Sequence, residues 1–202
     1  AAQGIQFDFS DNNGSYTGHE SPGFAQGDLT DTDNTWNTLE ADMAAGLLYS
    51  DGTDATGIQI DLGKGGGATV DWASGVAASQ ADGSGIYDTA VMEDWIYSDG
   101  NSNLGARVKG LAPGEYRVYA MTREPNQLGR TYDVSIGLNI DTLDGSPTAI
   151  TDADGITTWT VGKNYAVGDL TVGSIDDWVS IIIDPTNGDW GTLGGLQIVS
   201  LS

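Results

Sequence analysis

Apolar residues recur at every second position along much of the chain. Ile5, Phe7 and Phe9 alternate with Gln6 and Asp8, and Ile58, Ile60 and Leu62 alternate with Gln59 and Asp61. A period of two marks a strand with one buried face, because successive side chains of an extended chain point to opposite sides. Tyr116, Val118 and Ala120 share a face against Arg117, Tyr119 and Met121. Tyr132, Val134, Ile136 and Leu138 likewise oppose Asp133, Ser135 and Gly137. These two runs flank one loop and read as a central hairpin. Further strands are predicted near 105–111, 166–172, 178–184 and 195–201, with weaker ones around 45–49, 68–73 and 156–161. Only 86–97, with Tyr87, Val91, Met92 and Trp95, has helix-like spacing.

Turn signals separate these runs: five Asp-Gly pairs, beginning with Asp51-Gly52, and the pairs Asn13-Gly14 and Asn187-Gly188. About nine or ten short strands with almost no helix predict an all-β fold, an antiparallel β-sandwich of the jelly-roll kind. No repeat of fixed period and no composition shift divides residues 1–202, so one jelly-roll domain is expected. Residues 10–35 form the longest stretch without periodicity; 123–130, 139–155 and 184–194 are the other long loops, where function is expected.

Composition narrows the partners. Seven Lys+Arg stand against 29 Asp+Glu, a formal net charge of −22, which opposes binding to nucleic acid, where Lys and Arg must neutralise phosphates. An anionic membrane surface is disfavoured for the same reason, and no apolar run approaches the ~18 residues of a spanning helix, so no membrane insertion is expected. The absence of Cys removes disulfides, thiolate metal sites and thiol nucleophiles. With 39% hydrophobic residues and six Trp, the chain can still bury a core. An acidic, lysine-poor surface suits a salty exterior, and Ala1-Ala2-Gln3 resembles the residue of leader cleavage, so a secreted or cell-surface location is expected.

The run Gly110-Leu111-Ala112-Pro113-Gly114-Glu115-Tyr116-Arg117-Val118-Tyr119 resembles the L-x-P-G-x-Y-x-V hairpin of galactose-binding-like jelly rolls, including malectin-like domains and bacterial carbohydrate-binding modules. The opening Gly4–Phe9 and the ending Asp177–Leu201 are similar to the first and last strands of such modules, which lie side by side. The resemblance implies a glycan-binding jelly roll. In family-six-like modules the last strand carries a sugar-binding Asn and a calcium-binding Asp; here Gly195 and Gln197 stand there instead, and Asp8 alone matches the N-terminal acid.

Sugar recognition needs a flat apolar face for pyranose C–H groups and planar polar side chains for hydroxyls. Arg123, Asn126, Gln127 and Arg130 share one loop, Asp189 and Trp190 another, and Trp36 leaves the first long loop. Trp36 and Trp190 read equally as plugs at the sandwich end, and the two arginines as surface ions paired with nearby Asp. A second surface is the outward face of the central hairpin, with Arg117, Tyr119, Arg123 and Asp133, where Arg117 and Asp133 are placed to pair across strands.

Asp99, Asn101 and Asn103 give the D-x-N-x-N start of a calcium loop, the candidate structural Ca2+ site, although Leu104 and Gly110 break the rest of the pattern. His19 is the only imidazole and no G-x-S-x-G surrounds any Ser. Gly63-Lys64-Gly65-Gly66-Gly67-Ala68 mimics a phosphate loop but reads as a hairpin turn. The function expected is non-catalytic, monomeric binding of a polysaccharide or glycan. A structural or adhesive surface domain is the alternative, and a polysaccharide-cleaving enzyme built on Glu93 and Asp94 a third.

Overall fold

A computed structural model describes residues 3–9, 18–80, 94–122, 129–151, 158–187 and 190–202. The strongly alternating runs are strands. They are β1 (Gly4–Asp8), β3 (Gln59–Gly66), β6 (Ser102–Lys109), β7 (Gly114–Met121), β8 (Thr131–Leu138), β10 (Tyr165–Val172), β11 (Val179–Pro185) and β13 (Gly195–Ser200). Five shorter ones join them: β2 (Asn37–Thr38), β4 (Ala77–Gln80), β5 (Asp94–Tyr97), β9 (Thr148–Thr151) and β12 (Thr192–Leu193). The described residues therefore hold thirteen strands rather than nine or ten, the extra ones being too short for alternation to register.

Four local expectations are not met in the described residues. Residues 45–49 form one bridge, Leu48 to Asp54, and 68–73 form two, Thr69 to Thr142 and Asp71 to Lys64, instead of strands. Residues 158–161 contribute only a bridge from Val161 to Tyr165, 156–157 lying outside the described residues. The predicted helix over 86–97 is strand β5 in its described part, 94–97, where aromatic and β-branched Trp95, Ile96 and Tyr97 favour extension; 86–93 lie outside the described residues. The described helix is a four-residue turn, α1 (Pro22–Ala25). Among the described residues no helix is long and apolar enough to cross a membrane.

Two five-stranded sheets face each other, ordered β10-β7-β13-β1-β2 and β3-β6-β11-β8-β9, and a three-stranded sheet β12-β5-β4 caps one region. The inward faces interdigitate: Ile5, Phe7, Val118, Ala120 and Ile198 from the first sheet meet Ile60, Leu62, Ala106, Val108, Ile181 and Ile183 from the second. Such side chains each contribute roughly 1.5–3 kcal/mol on full burial, which makes this layer the main source of stability. β13 runs antiparallel beside β1, as the resemblance implied.

The central hairpin does not form. β7 pairs with β10 and β13, whereas β8 pairs with β11 and β9, so the two strands lie in opposite sheets. Arg117 is opposite Asp169 and Val199, and Asp133 is opposite Asp184 and Ala149, which removes the expected Arg117–Asp133 pair. Each strand buries its apolar face from its own side of the core. The Pro113-Gly114 motif is likewise a crossover, carrying the chain from β6 to β7. Gly110 turns there at φ +91°, and the Tyr116 hydroxyl folds back to donate to the Ala112 carbonyl at 2.8 Å.

The outer face of the first sheet is covered by residues 18–36, whose Leu29 and Trp36 pack on Tyr119, Met121, Tyr165 and Val199. The outer face of the second sheet carries a cation–aromatic row. The Arg107 guanidinium lies 4.2 Å from the Trp72 ring and 4.3 Å from the Trp178 ring and donates to Asp61 Oδ2, with Lys109 beyond Trp178.

One cross-strand pair is unfavourable. Asp184 faces Asp133 in the β11–β8 ladder, and burial, helped by the Asp133 charge, raises the Asp184 carboxyl above its ordinary value near 3.8. The folded chain holds that proton more tightly than the unfolded chain. Stability from this group is therefore full below the unfolded value and lost as pH rises through the folded one. Asp184→Asn is expected to stabilise the fold by about 0.5 kcal/mol at neutral pH. Thermal melts should show the gain disappearing below pH 3.8; a gain that is the same at both pH values would contradict the assignment.

Candidate functional site

At the end of the sandwich near the three-stranded sheet, Trp190 is 40% exposed and stacks on Tyr97, ring centroids 5.0 Å apart and planes 25° from parallel. The Arg130 guanidinium lies 5.2 Å from the Trp190 ring centroid, within cation–π range. Local structure sets this arrangement. Tyr97 ends β5 opposite Thr192 of β12. A reciprocal clip then fixes the chain next to Trp190: Ser98 N donates to the Gly191 carbonyl at 3.0 Å, and Gly191 N donates to Ser98 Oγ at 2.9 Å. Arg130 arrives through the β8–β11 ladder, extended past Pro185 by the Thr186 N to Thr131 carbonyl bond and by Asn187 Nδ2 donating to the Gly129 carbonyl. The fold thus joins Arg130 and Trp190, which sequence reasoning placed on separate loops. Arg123, Asn126, Gln127 and Asp189 lie outside the described residues.

Trp36 is a correction. It is only 4% exposed, packs in the cluster beneath residues 18–36, and donates from Nε1 to the Gly18 carbonyl at 3.2 Å, so its ring offers no face to a sugar. In the calcium candidate Asp99, Asn101 and Asn103, each residue has a partner or a turn role of its own. Lys64 Nζ holds Asp99 Oδ2 at 2.7 Å, Asn101 occupies a left-handed turn position at φ 59°, and buried Asn103 donates from Nδ2 to the Ala68 carbonyl. The motif is a turn entering β6, its one carboxylate already neutralised by an ammonium. Among the described residues no three His, Asp or Glu gather as a metal-holding group. Residues 63–66 of the glycine run end β3, paired with β6, and the chain then turns back at Gly67, φ +93°, so that Asp71 bridges Lys64 antiparallel; the run holds both the strand's end and the expected turn. Asp94 is buried within β5, and Glu93 lies outside the described residues. His19 sits beside Phe24, 3.8 Å from Asp31.

The second surface expected from the sequence survives in part: Arg117 and Tyr119 do lie on an outward sheet face, in a cleft whose other walls, from residues 26–28 and β10, the sequence did not signal. The cleft encloses about 360 Å3 and is lined by Gln26, Arg117, Tyr119, Val161, Tyr165, Val167, Gly168 and Asp169. β7 presents Arg117 and Tyr119, and β10 sets Asp169 opposite the first and Val167 opposite the second. Residues 26–28 supply the remaining wall. Arg117 grips Asp169 with Nε to Oδ1 at 2.7 Å and Nη2 to Oδ2 at 2.8 Å, while Nη1 reaches Asp28 Oδ2 at 3.2 Å. Tyr119 donates its hydroxyl to the same Asp28 oxygen.

These contacts shift the titrations as their chemistry requires. Bonds to Arg117 hold the Asp169 carboxyl below its usual range, and the Asp169 bonds raise the guanidinium further, keeping it cationic. Burial, then the bond to Asp28, pushes the Tyr119 hydroxyl upward, and burial raises Tyr165. The cleft is a preset array of charged donors and acceptors beside apolar walls at neutral pH.

The wall formed by residues 26–28 is held by buried amides. Gln197 Oε1 accepts from Gly23 N at 3.0 Å, and Gln197 Nε2 donates to Gln6 Oε1 at 2.7 Å and Ser21 Oγ at 2.8 Å. Gln6 Nε2 in turn donates to the carbonyls of Asp33 and Thr35. Gln197 is fully buried and clamps residues 18–36 onto the sheet.

No family model matches the chain, and no curated protein matches it. Solved structures with similarity include the Podospora anserina GH26-CBM35 β-(1,4)-mannanase, 11% identical over 71% of this chain and 28% of that one, with a TM-score of 0.37. TmCBM61, solved with β-1,4-galactotriose, is 12% identical over 62% of this chain and 81% of that one, TM-score 0.29. The family 32 carbohydrate-binding module of C. perfringens NanJ, solved with galactose, is 17% identical over 62% and 92%, TM-score 0.27. The chain therefore spans little more than a quarter of the mannanase. What it binds has to be read from its own side chains.

Proposed function

We propose that this chain is a non-catalytic carbohydrate-binding module of a secreted or cell-surface protein, taking a neutral polysaccharide at the Trp190 end of the sandwich. The observation that supports this reading is the exposed indole itself. Trp190 is propped by Tyr97 and anchored through the Ser98–Gly191 clip, so little rotamer freedom is lost when a pyranose face lies against it. The Arg130 guanidinium, over the ring at 5.2 Å, is the donor to sugar hydroxyls in this reading. Arg123, Asn126, Gln127 and Asp189 lie near these residues in the sequence and carry side chains of the sugar-binding type. The net charge of −22 selects against polyanionic glycans and favours neutral ones.

Affinity electrophoresis through gels holding neutral polysaccharides tests the reading. Trp190→Ala is expected to weaken retention at least about tenfold, the loss of one well-placed aromatic contact, with a midpoint close to that of the parent chain. Retention equal to the parent's on every retaining polysaccharide would place the site elsewhere.

A further inference from the structure

From the cleft between residues 26–28 and strands β7 and β10 we infer that the chain has a second saccharide site, on the sheet face, taking a neutral mono- or disaccharide unit. The ligand class rests on the carbohydrate reading above; the location does not. The volume, about 360 Å3, falls at the low end of small-ligand pockets, about 300–1,000 Å3, which suits one or two sugar rings.

The lining matches a polyol better than other ligands. A guanidinium has five N–H donors; three of those on Arg117 are engaged by Asp169 and Asp28, and the rest remain for hydroxyls. Asp169, 53% exposed, keeps lone pairs open to water, and exposed Gln26 adds a carboxamide at the rim. Val161, 49% exposed, and Val167 give apolar walls for C–H groups, and Tyr165, with Trp159 edge-on at 6.3 Å, closes the floor. Two carboxylates around one guanidinium leave the cleft net negative, which rejects phosphates and uronates. Both carboxylates are charge-paired with Arg117, which lowers the cleft's pull on a bare cation.

A purely structural role explains the cluster poorly. Residues 18–36 are already fixed by the buried Gln197–Gln6 network and by Leu29 and Trp36. A half-exposed ion pair adds only about 0–1 kcal/mol to that. The cluster instead holds polar groups in fixed positions at the mouth of an open cavity, the preorganisation that binding uses.

The test is a 1H–15N titration of the whole chain with galactose, mannose, glucose, xylose and their β-1,4-linked disaccharides. It follows the Gln26 side-chain amide, Arg117 Nε–H and Gly168 N–H for the cleft, and the Trp190 indole N–H for the loop end. At least one sugar is expected to shift the three cleft signals along a common isotherm. Gln26→Ala and Val161→Asp, both at the exposed rim, should weaken that isotherm about tenfold and leave any Trp190 response unchanged. On a polysaccharide that engages both sites, either rim variant should cut retention by up to about tenfold, the factor lost at the cleft. Movement of the indole without the cleft signals overturns this inference and spares the loop site. Movement of the cleft alone supports the inference and removes the loop site, and silence at both removes both.

Discussion

Gln197→Leu should lower the thermal midpoint by about 10 °C, the equivalent of about 3 kcal/mol for a chain of this size. Leucine fills much of the same space but offers neither donor nor acceptor. Gly23 N loses its acceptor, Ser21 Oγ and Gln6 Oε1 lose their donor, and all are buried under residues 18–36. An unmet buried polar group carries its desolvation cost of about 1–3 kcal/mol, which is why deletion of one partner is harsher than the net worth of the bond. The damage should be directional. Residues 18–36 lift first, so Trp36 emission shifts to the red before the core between the sheets melts, and the cleft loses the wall that carries Gln26 and Asp28. A midpoint within about 2 °C of the parent would show that the clamp contributes little.

Gly110→Ala is expected to be worse, costing more than about 4 kcal/mol and leaving little folded protein at ambient temperature. A Cβ there would lie 2.1 Å from the Gly57 carbonyl oxygen, and Gly110 already sits at φ +91°, where a side chain is strained. The obstacle is backbone, so no rotamer change relieves it. Gly57→Ala is the matched control: φ is +86° but a Cβ meets nothing within 4 Å. Only the conformational term remains there, about 1–2 kcal/mol. Circular dichroism melts of the two variants separate collision from strain, and equal losses would mean that the crossover relaxes around the added methyl.

Strands were legible where alternation was long. Tyr116, Val118 and Ala120 do point into the core, and Arg117, Tyr119 and Met121 do point the other way. Partnership was not legible, because a period of two fixes which face is buried and says nothing about which strand lies alongside. Hence β7 and β8, neighbours in sequence, belong to different sheets. Gln6 and Gln197 show the same limit on the polar side. Their positions lie on the outward face, yet that face is roofed by residues without periodicity, and Gly23 meets Gln197 across 174 positions. Composition flagged Trp190 and Arg130 as sugar-binding types, and the fold brings their side chains together. It flagged Trp36 on the same grounds, and spacing flagged Asp99 for calcium; Trp36 is buried against its own chain, and Asp99 is held by a lysine 35 residues away. Gln26 and Asp28 carried no signal, since their role exists only once their segment folds back over β7 and β10.

The pairing of β1 with β13 has a mechanical corollary. Gly4 lies opposite Val199, and Ser200 N donates to the Gln3 carbonyl at 2.9 Å, so the first and last strands present adjacent outer tips. Tension applied through those tips acts across the ladder and peels its bonds one after another, instead of shearing them in parallel. A tether pulled from both sides would therefore strip β1 from the sheet at low force, carrying away Gln6 and with it the seat of the roof over the cleft.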